Sequence, residues 1–229
     1  MKKVILKLAF LICAFGIYAQ PNESIIEQSG NNNQVAVAQI GESQYSYIGQ
    51  NGDSNTAGTW QKGTFNYSHT EQFGIENTAY ATQDGDNNSS RIHQGFTNES
   101  PANNGNTGTT WQKGDWNDAH IDQFGVDYGS NYNNAAITQL GNRNYSYIIQ
   151  EGDSNTATND QVGKWNRSDI IQMGNLNKST VGQEGSNNIS DVLQKGASNM
   201  SQTIQTGLGN SSIIRQTGQG NSATVSQSH

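Results

Sequence analysis

Any chemistry this chain performs would have to come from four histidines, His69, His93, His120 and His229, from its scattered carboxylates, or from Cys13, its single cysteine. Metal binding calls for ligands at a fixed short spacing on one element. His69 and His93 instead stand two 11-residue units apart and at different places within the unit, so no metal ligand is expected. The segments Gly52-Asp53-Ser54-Asn55 and Gly152-Asp153-Ser154-Asn155 have the look of calcium turns. Calcium-binding β-helices, however, repeat about every nine residues with an aspartate in each turn, and most of the corresponding segments here lack a carboxylate. No nucleophile–base pair, carboxylate pair or phosphate loop stands out. The expectation is no catalytic residue, no cofactor and no enzyme. The carboxylates read as solubilising gatekeepers beside strands that would otherwise aggregate.

The chain has 229 residues, of which 31% are hydrophobic, a small share for a globular core. Residues 1–19 read as a signal peptide: Lys2 and Lys3, an apolar run from Val4 to Tyr18, and small Ala19 before a cut at Gln20. The run is too short to cross a membrane. A lipoprotein cut before Cys13 would want a small residue where Ile12 stands. Cleavage removes Cys13 and, with Lys2, Lys3 and Lys7, moves the formal net charge from −7 to −10. So acidic a chain argues against nucleic acid or anionic lipid as a partner.

What overrules a reading of disorder is the spacing. Gln28, Gln39, Gln50, Gln61, Gln72, Gln83 and Gln94 stand 11 residues apart; Gln112 and Gln123 resume the series, and Gln139, Gln150, Gln161 and Gln172 continue it to Gln227, making 18 units. Glycine follows two residues later in 16 units, as at Gly30, Gly41, Gly52, Gly63, Gly74, Gly85, Gly152, Gly163 and Gly174. Asparagine stands six residues before the glutamine in 17, as at Asn55, Asn66, Asn77, Asn155, Asn166 and Asn177, with Gln44 the one substitute. Fixed self-similarity of this kind is the mark of a stacked repeat.

Within each unit the pattern has period two. Mostly Ser or Ala stands four before the glutamine and Ile or Val often two before, while Tyr, His, Thr, Arg and Asp fill the places between. That alternation predicts a half-buried strand with the Asn, Ser/Ala, Ile/Val and Gln columns turned inward and the glycine in the turn. Pro21 and Pro101 lie outside the strands, as loss of a ladder donor requires. One strand cannot bury a face alone, so two units form a 22-residue coil and 18 units form nine. At about 4.8 Å per layer the rod is about 43 Å long. Stacked amides then donate to one side and accept from the other, forming ladders. The expected fold is an all-β solenoid over 23–229 after a stub at 20–22. Two turn insertions, near 95–105 and 126–132, add 7 and 5 residues and should leave one edge, one coil apart.

Ser46-Tyr47-Ile48-Gly49-Gln50-Asn51-Gly52-Asp53-Ser54-Asn55-Thr56-Ala57, continued to Gln61, resembles the repeat of the curlin family, the curli fibre subunits of bacterial biofilms. The resemblance runs over nearly the whole mature chain. It implies ladder roles for Gln50, Asn55 and Gln61 and a turn role for Gly52. It also implies export through an outer-membrane channel, a nucleator subunit as partner, and self-assembly into extracellular matrix amyloid. Two rivals are a minor nucleator of the same fibre and a soluble solenoid with an adhesive or ice-binding face. Ice binding wants a flat Thr array, whereas the outward column reads Tyr47, Gly58, His69, Tyr80, Arg91. A further outward column carries Tyr45 and Tyr67, with Tyr145 later, a candidate aromatic stripe.

Overall fold

A computed structural model describes residues 4–7, 20–95, 104–125 and 132–229. Strand β1 is Val4–Lys7. The chain then forms β2 (Glu23–Ser29), β3 (Gln34–Glu42), β4 (Tyr45–Asp53), β5 (Thr56–Thr64), β6 (Tyr67–Ile75) and β7 (Thr78–Asp84). Next come β8 (Ser89–Gln94), β9 (Thr107–Lys113), β10 (Asp118–Phe124), β11 (Asn134–Asn142), β12 (Tyr145–Glu151) and β13 (Thr156–Lys164). The series ends with β14 (Arg167–Asn175), β15 (Lys178–Ser186), β16 (Ile189–Ala197), β17 (Met200–Leu208), β18 (Ser211–Gln219) and β19 (Ser222–Ser228). No helix occurs among the described residues.

From β2 onward, even-numbered strands form one parallel sheet and odd-numbered strands the other. Each consecutive pair, beginning with β2 and β3, is one coil, and nine coils stack into a solenoid. Like sits on like: Ser24 pairs with Ser46 and Ser46 with Ser68, and Gln39 pairs with Gln61. Both insertions leave this register intact. Ser89 pairs with Asp118, and Asp118 with Tyr145, so the equivalent inward residues still coincide. Both follow even-sheet strands, β8 and β10, that are direct neighbours. Residues 96–103 and 126–131, which hold most of the inserted sequence and Pro101, lie outside the described residues.

The interior is thin and half polar. Ile48, Ile92, Ile121, Ile148 and Ile170 of the even sheet are fully buried against smaller partners such as Ala79, Ala135, Ala157 and Val181. Alternation is strict in the central strands, where β12 reads exposed, buried, half-buried, buried, half-buried, buried. In β3 and β19 the same inward positions are only half-buried, because each has a coil on one side alone. At the first end, Val4–Lys7, inside the segment read as a leader, pairs antiparallel with β2, Val4 opposite Gln28 and Lys7 opposite Ile25.

Two residues in each uninterrupted turn among the described residues take left-handed backbone angles. One is the expected glycine, as at Gly163 (φ 117°), where a Cβ would run into the Gly185 carbonyl of the next coil. The other immediately precedes the asparagine and is seldom glycine: Ser54, Phe65, Trp116, Trp165 and Leu176 all lie near φ 60°.

Candidate functional site

Glutamines lead the inward columns. Their side chains form two unbroken ladders, one per sheet. In the even sheet Gln28 Nε2 donates to Gln50 Oε1 at 2.7 Å, Gln50 to Gln72 at 2.8 Å and Gln72 to Gln94 at 2.8 Å. Across the insertions Gln94 donates to Gln123 and Gln123 to Gln150, and the series runs on through Gln172 and Gln194 to Gln216. In the odd sheet the rungs run from Gln39 to Gln61, Gln83, Gln112, Gln139, Gln161 and Gln183, and on through Gln205 to Gln227.

The orientation of these amides is fixed by a second bond. From Gln39 on, each Nε2 also donates to a backbone carbonyl across the interior, as from Gln50 to Gln34 O at 3.1 Å and from Gln161 to Tyr145 O at 2.9 Å. Only a nitrogen can serve both acceptors, so the amide cannot flip. One glutamine therefore ties its coil to the next and its sheet to the other. Every rung points the same way along the rod. Each is worth about 1 kcal/mol net, and a broken rung leaves buried groups unpaired at about 1–3 kcal/mol.

The asparagines work differently from the simple amide ladder their column suggests. Asn55 Nδ2 donates to Gly74 O of the next coil at 2.9 Å, and Asn55 Oδ1 accepts the backbone N–H of Asn77 at 3.0 Å. Asn66, Asn155, Asn166 and Asn177 likewise donate to Gly85, Gly174, Gly185 and Gly196. Their oxygens accept the backbone N–H of Asn88, Asn177, Asn188 and Asn199. The asparagine thus staples a turn to the glycine turn of the following coil. Amide-to-amide bonds accompany this, as from Asn88 Nδ2 to Asn66 Oδ1 at 3.1 Å. Gln44, the substitute, reaches Gly63 O at 2.7 Å but leaves its own oxygen without a partner.

The glycines supply the other half of each staple. Gly30, Gly41, Gly52, Gly63, Gly74, Gly85, Gly152, Gly163 and Gly174 all have positive φ, between 104° and 138°. From Gly41 on, these glycines offer their carbonyls to the preceding coil, to an asparagine in every case but Gly63, which takes Gln44.

This arrangement does no bond-making chemistry; it binds a coil to another coil of the same pattern. The curlin-associated repeat matches residues 30–63, 52–85, 131–163, 152–185 and 166–196, more than half of the chain. The chain belongs to the curlin family. No curated protein matches it. The curlin repeat is a structural one, and the inward columns of this curlin are the ones that carry its stacking.

On the outer face of the even sheet the curlin coils bring together residues that the spacing had kept apart. One outward column runs Tyr47, His69, Arg91, His120, Tyr147, and the next runs Gly49, Glu71, His93, Asp122, Ile149. Positions two apart on neighbouring strands are diagonal neighbours within reach of long side chains. That is how His69 and His93 meet despite lying in different columns: their rings are 5.4 Å apart. His93 Nε2 is 3.1 Å from Glu71 Oε2, and His93 Nδ1 is 3.6 Å from Asp122 Oδ1. His120 Nε2 stands 3.0 Å from Asp122 Oδ1, and Tyr147 donates to Asp122 Oδ2 at 2.8 Å.

Ionisation follows the surroundings. Burial, then the charge of Arg91, lowers His93 to about 4 and keeps it neutral. The imidazole of His69, 3.6 Å away, holds Glu71 below its ordinary value. Burial pushes Asp122 up, but the bond from His120 and the charges around it outweigh that and leave it lowered. Burial, with the charge of Glu27, pushes Tyr47 up to about 12.

The aromatic stripe is partial. Tyr45 and Tyr67 stack at 5.2 Å and 7°. Ser89 and Asp118 then interrupt the column before Tyr145, which lies under Arg167 at 5.6 Å.

Proposed function

We propose that this curlin is a structural subunit of a secreted, curli-like extracellular amyloid, serving as biofilm matrix and surface adhesion on bacteria. The observation that carries this reading is the single direction of both glutamine ladders. Each begins with a carbonyl oxygen that no earlier glutamine serves, on Gln28 and Gln39. Each finishes with an Nε2 that no later glutamine accepts, on Gln216 and Gln227. The two ends of the rod are therefore complementary, one accepting and one donating. A head-to-tail stack continues the rungs and completes the half-buried end coils, the kind of open heterologous contact that makes filaments.

The leader fits the same scheme. Its removal with residues 1–19 would take β1 off β2 and free the accepting end. A nucleator subunit to start the stack and an outer-membrane channel to release the unfolded chain are the partners this proposal requires. The acidic composition of the chain gives no footing for nucleic acid. No helix among the described residues is long and apolar enough to cross a membrane.

The test is electron microscopy of the desalted chain beginning at Gln20, followed over hours, with X-ray diffraction from aligned product. Unbranched fibres with a reflection near about 4.8 Å along the axis are expected. Rods that stay monomeric would mean a soluble binding module instead.

A further inference from the structure

We propose that His69, Glu71 and His93 form a binding site for a divalent cation of the zinc class, on the outer face of the even sheet between β6 and β8. One nitrogen of each imidazole and one carboxylate oxygen already lie within 4.8 Å of one another. His69 Nε2 is 3.6 Å from Glu71 Oε1 and His93 Nε2 is 3.1 Å from Glu71 Oε2. Ligands held at about 2.0–2.2 Å around a tetrahedral ion sit a little over 3 Å apart, so the three atoms must draw in from separations of up to 4.8 Å. Two imidazoles and one carboxylate, with a fourth position open to solvent, suit zinc or copper(II) and not the all-oxygen preference of calcium or magnesium.

The surrounding groups orient the ligand atoms. Tyr67 Oη lies 3.2 Å from His69 Nδ1, which leaves His69 Nε2 turned towards Glu71. Asp122 faces His93 Nδ1 and is itself held by His120 and Tyr147. A carboxylate behind the far nitrogen of a histidine is the usual way of fixing a metal-binding tautomer and raising its basicity.

Arg91 is the competitor. Its Nε donates to His93 Nε2 at 2.9 Å, so the guanidinium now holds the nitrogen a metal would take. The side chain is exposed and can swing into solvent when a metal displaces it. The site uses outward residues only and joins the third coil to the fourth, so it stands independently of how the rod ends associate.

The experiment is calorimetric titration of the purified full chain with zinc chloride, with magnesium and calcium as controls. The expectation is one zinc per chain and no heat from magnesium or calcium. His93→Ala should abolish the binding, Asp122→Asn should weaken it about tenfold or more, and Arg91→Ala should tighten it. Absence of zinc binding in the wild-type chain, or equal binding by His93→Ala, would overturn the site. Unchanged or weaker binding by Arg91→Ala would overturn His93 Nε2 as a ligand atom. Should His93→Ala fail to fold, the visible spectrum of the cobalt(II)-loaded wild-type chain decides. Intense four-coordinate bands support the site, and the weak spectrum of hydrated cobalt overturns it.

Discussion

Glutamine is a costly residue to bury, and fifteen of the ladder glutamines are buried because all but the terminal Gln216 are bonded to like glutamines above and below, and each donates to a backbone carbonyl across the interior, as Gln161 is bonded to Gln139, Gln183 and Tyr145. Replacing Gln139, Gln150 and Gln161 together by Leu cuts both ladders. It strands the donor of Gln112 and the oxygen of Gln183, among others. Each stranded group costs about 1–3 kcal/mol, so the denaturation midpoint should fall and assembly should slow; unchanged values would show that the ladders contribute nothing. The serines of the even sheet predict the opposite sign. Ser190 is fully buried and its hydroxyl has no partner, while the odd sheet places Ala157 or Ala135 at the equivalent position. Ser190→Ala should therefore raise resistance to denaturant, and a loss would contradict the assignment of that hydroxyl as unsatisfied. The columns themselves were readable in the sequence because an 11-residue period exposes them. The asparagine staple was not, since one column of amides looks the same whether its partners are side chains or backbone.

At the scale of strands and turns, the second left-handed residue left no sequence signal. Phe65, Trp165 and Leu176 are poor choices for φ near 60°, a conformation that costs about 1–2 kcal/mol for a residue with a side chain. Stacking imposes it: Leu176 N donates to Asp153 O in the preceding coil at 2.9 Å, and Trp165 N to Asn142 O at 3.2 Å. The histidine cluster was hidden for a related reason, because linear spacing does not show diagonal neighbours across a parallel sheet. The columns stay in phase across both insertions, Gln94 pairing with Gln123 and Gln123 with Gln150. Deleting residues 96–102 and five residues of the second insertion should preserve fibre formation and the strand register. Loss of assembly in the double deletion would mean that the loops contribute to stacking.

For the whole molecule, the ends decide. β19 pairs with β17 alone, and its outer edge carries neither a proline nor a charge cluster to block another strand. Thr224→Pro with Val225→Lys removes a ladder donor and places a charge in an inward column. Added in trace to wild-type seeds, the double variant should stop growth at one end of each fibre and leave the other unaffected. Single-fibre imaging reads this directly, and elongation at the wild-type rate from both ends would show that terminal coils are not the growing surface.

In the proposed fibre, molecules join end to end, last coil on first, with the ladders crossing the junction. Cryo-electron microscopy of the fibre measures this as the axial rise per molecule. Nine layers from each chain give an expected rise of about 43 Å at about 4.8 Å per layer, with Gln227 of one molecule over Gln39 of the next. A rise of one layer per molecule, or rods joined side by side with their ends bare, would contradict it.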